Sequence, residues 1–251
     1  MSSADRFAEI KVLTTKDGIK VPIQETTTCE DVCNEIAKIL RIGPICRHLF
    51  SLRLHDTKIW LFPSFRMQDA KSSTIFDYRI RFKVPKLSRL KQTDLEAFNY
   101  YYHQVRRDVI DNHVPDIHYE KHKGELLGLG VTDMYRVMID EGVSLEQVKA
   151  DYKKYIPLSL FKNHFFFIKP KIHDSLSKIK ISRDQDGWFV KEEYLNLFDK
   201  IAPNYLSENY DAQVDEHGSV RLISMQVNPY HKEEPGIRYK FEGKDEVRLC
   251  F

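Results

Sequence analysis

The sequence predicts an α+β fold built from three consecutive segments: a small β-roll, an antiparallel helical bundle and the start of a second β domain. Two observations carry this. Apolar residues alternate with period two at both ends of the chain and recur every three or four residues through the middle. Each change of period also falls on turn, cap or linker chemistry. The expected segments are 1–88, 89–208 and 209–251.

In the first segment, FAEIKVL (7–13) and IKVPIQ (19–24) flank TTKDG, whose Asp17-Gly18 pair is a hairpin signal. Thr28 stands three residues before Asp31, a capping-box spacing, and Val32, Ile36, Ile39 and Leu40 form a helical stripe that Gly43 and Pro44 end. LFSLRL (49–54), KIWLF (58–62) and YRIRFKV (78–84) read as further strands, the last with Tyr78, Ile80, Phe82 and Val84 on one face and Arg79, Arg81 and Lys83 on the other. Two strands, a helix, two strands and a closing strand make a small ubiquitin-like roll.

KLSRLKQ (86–92) reads as a linker, and Thr93 with Glu96 as the capping box of a helix whose stripe is Leu95, Phe98, Tyr102, Val105 and Val109. A second helix is expected over roughly 118–140, a short third capped by Ser144 and Gln147, a fourth stripe at Ile172, Leu176 and Ile179, and a last helix over 188–202. Short polar turns join them, as in an antiparallel bundle. SVRLISMQV (219–227), GIRYKF (236–241) and EVRLCF (246–251) return to period two. Three strands do not bury both faces of a sheet, and the chain ends on apolar Leu249, Cys250 and Phe251, so the sequence is expected to stop inside a β domain.

Composition narrows the function classes. Of 251 residues, 42% are hydrophobic and 30% charged, with a formal net charge of +2, which describes a soluble globular protein without the basic bulk of a nucleic-acid binder. The N-terminus has no apolar signal core and no run approaches a membrane span. Four cysteines in a chain this long point to a reducing, cytoplasmic compartment rather than a disulfide scaffold.

No catalytic constellation emerges. Gly124, Gly128 and Gly130 in GELLGLG (124–130) resemble a phosphate loop, but Gly-Lys-Ser/Thr, His-Arg-Asp and Asp-Phe-Gly are all absent. The neighbours Leu126, Leu127, Leu129, Val131 and Met134 fit a helix, so Gly128 and Gly130 are read as small residues that let helices approach. Cys29, Cys33, Cys46 and His48 loosely resemble a zinc cluster; the plainer reading makes Cys33 a core residue and Cys29 a partly exposed one. His118 and His122 lack the adjacent glutamate of a zinc-protease helix. No metal and no cofactor is expected.

Charge is more informative. Arg79, Arg81, Lys83, Lys86, Arg89 and Lys91 fall within 78–91 with no acidic residue among them, and 153–183 holds eight basic residues against Asp174 alone. Such single-sign clusters favour an acidic partner, either anionic lipid or an acidic peptide.

Several stretches resemble a known family. GPICRHLFSL (43–52) followed by KIW (58–60) and YRIRF (78–82), then ELLGLGVTDMYRV (125–137), YKKYIP (152–157), KPKI (169–172), EEYLNLF (192–198) and GIRYKF (236–241) look like landmarks of the FERM domain of Janus-type (JAK family) tyrosine kinases, in family order. Shorter loops suggest an invertebrate relative.

The resemblance implies a ubiquitin-like first lobe, an acyl-CoA-binding-protein-like helical second lobe and a pleckstrin-homology-like third lobe. It implies docking rather than catalysis: in this family the domain grips the membrane-proximal, proline-containing segment of a cytokine receptor tail, largely through the helical lobe, while the kinase domains lie later in the chain. Partners implied are that receptor tail, the remainder of the chain's own kinase and anionic lipid, at the inner face of the plasma membrane or endomembranes. The competing reading is a cytoskeleton-linking FERM adapter. If the helical lobe receives a receptor tail, KPKIHDSLSKIK (169–180) supplies aliphatic Leu176 and Ile179 beside Lys169, Lys171, Lys178 and Lys180.

Overall fold

The computed structural model describes residues 6–250 apart from 16, 58, 72, 73, 85, 179–185, 217, 231–234 and 244–246. The first lobe is a four-stranded sheet, with β1 (Arg6–Lys11), β2 (Ile19–Ile23), β3 (Phe50–Leu54) and β4 (Ile75–Ile80) in the order β2-β1-β4-β3. β1 runs parallel to β4, and the other two pairings are antiparallel. Helix α1 (Cys29–Ile39) covers one face, its start fixed by the capping box in which Thr28 and Asp31 each bond the other's backbone. Val32 and Ile36 are fully buried, while Ile39, expected on the same stripe, is half exposed. The strand expected at 58–62 shrinks to a bridge between Arg53 and Trp60 beside the β3 edge, and Pro63 removes the next donor.

The expected linker is instead helix α2 (Leu87–Thr93), pinned by buried Leu90. Helix α3 (Leu95–Ile110) is capped not by Thr93 but by Asp94, which accepts from the Ala97 amide at 2.9 Å and from the Gly43 amide of the first lobe at 2.6 Å. The bundle continues through α4 (Lys123–Asp140), α5 (Leu145–Ala150), α6 (Leu158–Lys178) and α7 (Gly187–Ile201). Ser144 caps α5 as its sequence suggests. No helix among the described residues is long and apolar enough to cross a membrane.

The third lobe is an antiparallel sheet of four strands rather than three: β5 (Glu208–Glu216), β6 (Ser219–Asn228), β7 (Gly236–Phe241) and β8 (Val247–Cys250), in chain order. The additional strand, ENYDAQVDE, carries only Tyr210, Ala212 and Val214 as alternating apolar residues, too weak a period to announce itself.

The first two lobes share one hydrophobic core, which runs from Ala8 to Tyr205. Polar groups are buried at their junction. The fully buried side chain of Gln104 on α3 donates to the Ile80 carbonyl and accepts from the Ile80 amide, both at 2.8 Å, so it pairs with the end of β4 as a neighbouring strand would. One turn further along α3, Asp108 accepts from the Arg79 guanidinium at 2.5 Å and from the Tyr205 hydroxyl at 2.6 Å. The Tyr100 hydroxyl donates to the Tyr78 carbonyl.

Gln104→Leu leaves the Ile80 amide and carbonyl buried and unpaired, and is expected to cost on the order of 3 kcal/mol in denaturant unfolding. The exposed Gln92→Leu is expected to stay within about 0.5 kcal/mol.

Candidate functional site

A groove of about 320 Å³ runs between α4 and α6. Its α4 wall is Gly124, Leu127, Gly128 and Val131, and its α6 wall is Lys171, Ile172, Asp174 and Ser175. Residues 124, 128 and 131 lie on one helical face because they are spaced by four and three. A Cβ added at Gly124 or Gly128 would meet nothing within 4 Å, so these glycines leave the groove floor open at bare backbone.

Gly130 does something different. Two residues from Gly128, it points to the opposite side of α4. There a Cβ would stand 2.2 Å from Ile156 Cδ1 and 2.8 Å from the Tyr155 carbonyl oxygen. Close packing therefore holds for Gly130 and is corrected for Gly128. Neither belongs to a phosphate loop, since both lie inside an eighteen-residue helix.

The side of α4 away from the groove is fixed by a buried ion network. Asp133, 1% exposed, accepts from the Tyr102 hydroxyl at 2.5 Å, from Arg136 Nε at 3.0 Å and from Arg106. Burial alone would raise its carboxyl pKa; Arg106 and Arg136 reverse this and hold it below the usual carboxylate range. His103, packed on the Tyr102 ring, is lowered to about 4 by burial and by Arg136, Lys191 and Arg106. It stays neutral near neutral pH, so it adds no charge to the network.

The groove contains part of the KPKIHDSLSKIK stretch. Lys169, Lys171 and Lys178 are exposed, Lys171 lines the groove and Lys178 pairs with Asp174 at 2.5 Å. Leu176 is corrected: at 2% exposure it is bundle core, and the apolar contact falls to the half-buried Leu127 and Val131, over an Ile172 that is itself core at 1% exposure. Ile179 and Lys180 lie outside the described residues.

The basic cluster at 79–91 does not form one open patch. Arg79 is buried against Asp108, Arg81 Nε pairs with Glu208 at 2.8 Å, and Lys83 pairs with Asp199 at 3.2 Å while donating to the Pro203 carbonyl at 3.0 Å. Lys91 pairs with Glu192 at 2.9 Å. Burial opposes the Arg79 charge, and Asp108 more than restores it, so its pKa stands above the ordinary arginine value. Arg79, Arg81 and Lys83 join lobes, Lys91 ties α2 to α7 within the bundle, and of the six only Lys86 and Arg89 stand exposed. Cys29 is also corrected, being 1% exposed. Among the described residues no cluster of three or more His, Cys, Asp or Glu is placed to hold a metal ion.

A sheet-and-helix roll, a helical bundle and a second sheet in this order define a FERM-type module. A family model described as FERM F1 ubiquitin-like domain matches residues 12–94, and one described as FERM F2 acyl-CoA binding protein-like domain matches residues 91–183. The MyTH4-FERM MF2 domain of Dictyostelium discoideum myosin VII superposes with a TM-score of 0.69 at 12% identity, over 99% of this chain and 50% of that one. The FERM and C-terminal domain complex of Drosophila merlin gives 0.63 at 12% identity, over 97% and 80%. At such identities the likeness is one of fold.

Sequence similarity places the chain more closely. It is 28% identical over 204 residues to the tyrosine-protein kinase hopscotch of Drosophila melanogaster, and 28% identical over 208 residues to the tyrosine-protein kinase JAK3 of Rattus norvegicus, covering 74% and 72% of this chain. The chain belongs to the FERM family, and within it is similar in sequence to these two Janus-type kinases. It spans 17% and 18% of the length of those two curated relatives.

Gly128 and Gly130 of α4 separate by mutation. Gly130→Ala is expected to destabilise the bundle by about 1–3 kcal/mol, because the Tyr155 backbone cannot yield. Gly128→Ala is expected to stabilise it by about 0.5–1 kcal/mol through helix propensity. Thermal unfolding followed by circular dichroism measures both.

Proposed function

We propose that the chain is the non-catalytic docking module of a Janus-type tyrosine kinase, and that the α4–α6 groove takes the membrane-proximal segment of a cytokine receptor tail. The observation that carries this reading is the open groove itself, with bare helix backbone at Gly124 and Gly128, half-buried aliphatic Leu127 and Val131, and exposed Lys171 on its wall. Such a groove fits an extended aliphatic or proline-containing segment, because side chains can press against the glycine backbone where no Cβ stands. The exposed Lys169, Lys171 and Lys178 favour acidic flanks on that segment and speed its encounter. Engagement of a membrane-proximal tail would hold the module at the cytoplasmic face of a membrane. The adapter reading has support only from fold likeness to merlin and myosin FERM domains, and the 28% identity to two Janus-type kinases outweighs it.

The test uses a fluorescent membrane-proximal receptor peptide that contains proline and acidic flanks, titrated against the 251-residue chain. Gly128→Leu, whose Cβ enters open space, is expected to block the groove and abolish binding while circular dichroism shows the fold kept. Lys171→Glu with Lys178→Glu is expected to weaken binding roughly tenfold at low salt, with the loss shrinking towards twofold at about 0.5 M salt. Unaltered affinity in both variants would remove the groove as the docking site.

A further inference from the structure

The cluster with the most unused chemistry lies on the first lobe, away from the α4–α6 groove. Three segments converge there. The amides of Arg81 and Phe82, just past β4, both donate to the Leu49 carbonyl, at 2.8 and 3.3 Å, which sets them against the turn that carries Arg47 and His48. The Glu30 amide donates to the Pro63 carbonyl at 3.0 Å, which lays Pro63 over the first turn of α1. Between these segments is a cavity of about 110 Å³, with Arg47, His48 and Arg81 among its walls and the Cys29 and Cys33 thiols lining it beneath.

The Nε of Arg47 is buried without any acceptor. A buried unpaired donor costs about 1–3 kcal/mol, more on a charged group, so native structures rarely keep one without a use. Arg81 spends its Nε on Glu208, and its guanidinium lies over the Phe82 ring at 5.0 Å and the Trp60 ring at 5.8 Å. That arrangement holds the terminal nitrogens in place for a second acceptor. His48 adds a further donor and is exposed. The rim is apolar: Phe82 is 42% exposed, and Phe62, beside Pro63, is 58% exposed.

We propose that Arg47, His48 and Arg81 form a carboxylate socket on the first lobe, which takes an acidic side chain of a partner protein whose adjacent apolar residue rests on Phe82 and Pro63. The size agrees, since the cavity equals about four times a water's ~30 Å³ share of liquid volume, enough for a carboxylate and the carbon that bears it. The charge also selects. Glu30 lines the same cavity, so a single negative charge is matched by the three donors while a doubly charged phosphate meets more repulsion. Among the described residues no lysine lines the cavity, which separates it from the lysine-rich surfaces that hold anionic membranes.

The experiment is an NMR titration of the ¹⁵N-labelled 251-residue chain with N-acetyl-glutamyl-phenylalanine amide, and with its glutaminyl analogue as control. The expected result is millimolar binding that moves the Arg47 Nε–H signal and the amides of His48, Arg81 and Phe82, with the glutaminyl compound about tenfold weaker. Arg47→Gln is expected to abolish the shifts while the rest of the spectrum is unchanged. Absence of shifts up to about 20 mM, or equal shifts from both compounds, would overturn the proposal on the unsubstituted chain whatever the variant does. Tighter binding of inorganic phosphate, or of phosphatidylserine vesicles, at these signals would overturn it in favour of a phosphate or lipid site.

Discussion

A guanidinium taken out of water between two lobes has to be neutralised and hydrogen-bonded, and the placing of the helical lobe follows from how Arg79 meets that demand. Its partner Asp108 is buried as well, so neither can be removed without stranding the other's charge. Asp108 also accepts from the Tyr205 hydroxyl, and Gln104 one turn earlier closes the end of β4. Four polar groups thus meet from the first sheet, the long helix α3 and the segment after α7. Apolar packing alone would tolerate sliding between the lobes; directional bonds at this junction specify one arrangement.

The same logic reaches the third lobe. Arg81, two residues along from Arg79, pairs with Glu208 at the start of β5, and Lys83 bonds the Pro203 carbonyl just before it. Asn228 Nδ2 donates to that same carbonyl at 3.3 Å from the end of β6. Basic residues that alternate along one strand and just beyond it therefore tie three lobes together. With the bundle held in this way, α4 and α6 present a fixed groove, and the buried Asp133 network keeps the far side of α4 from turning into it.

Much of the fold was legible because local signals and burial agree. The Thr28–Asp31 box, the α1 stripe, the period of α7 and the strands β6 and β7 all appear where alternation or helical spacing places them. The misreadings share a cause. Arg79, Arg81 and Lys83 alternate with apolar residues as a solvated strand face would, but their partners lie 29, 127 and 116 residues onward, beyond any local pattern. A signal did exist: Gln104 and Asp108 sit one turn apart among the buried Tyr101, Val105 and Val109, and a carboxylate inside an apolar stripe asks for a buried cation. The glycines were separable too, since residues two apart on a helix face different ways, so Gly128 and Gly130 could not both serve one close contact. Arg47 could not have been singled out, because only the meeting of three distant segments makes its surroundings a cavity.

The central claim is that the buried Arg79–Asp108–Gln104 junction joins the first and second lobes into one cooperative unit. Differential scanning calorimetry of the 251-residue chain tests it most directly. The account predicts that both lobes melt in a single transition whose calorimetric and van't Hoff enthalpies agree, with any separate, smaller transition belonging to the third lobe alone. Two resolved transitions, in which the ubiquitin-like lobe melts while α3, α4 and α7 keep their helical signal, would contradict it.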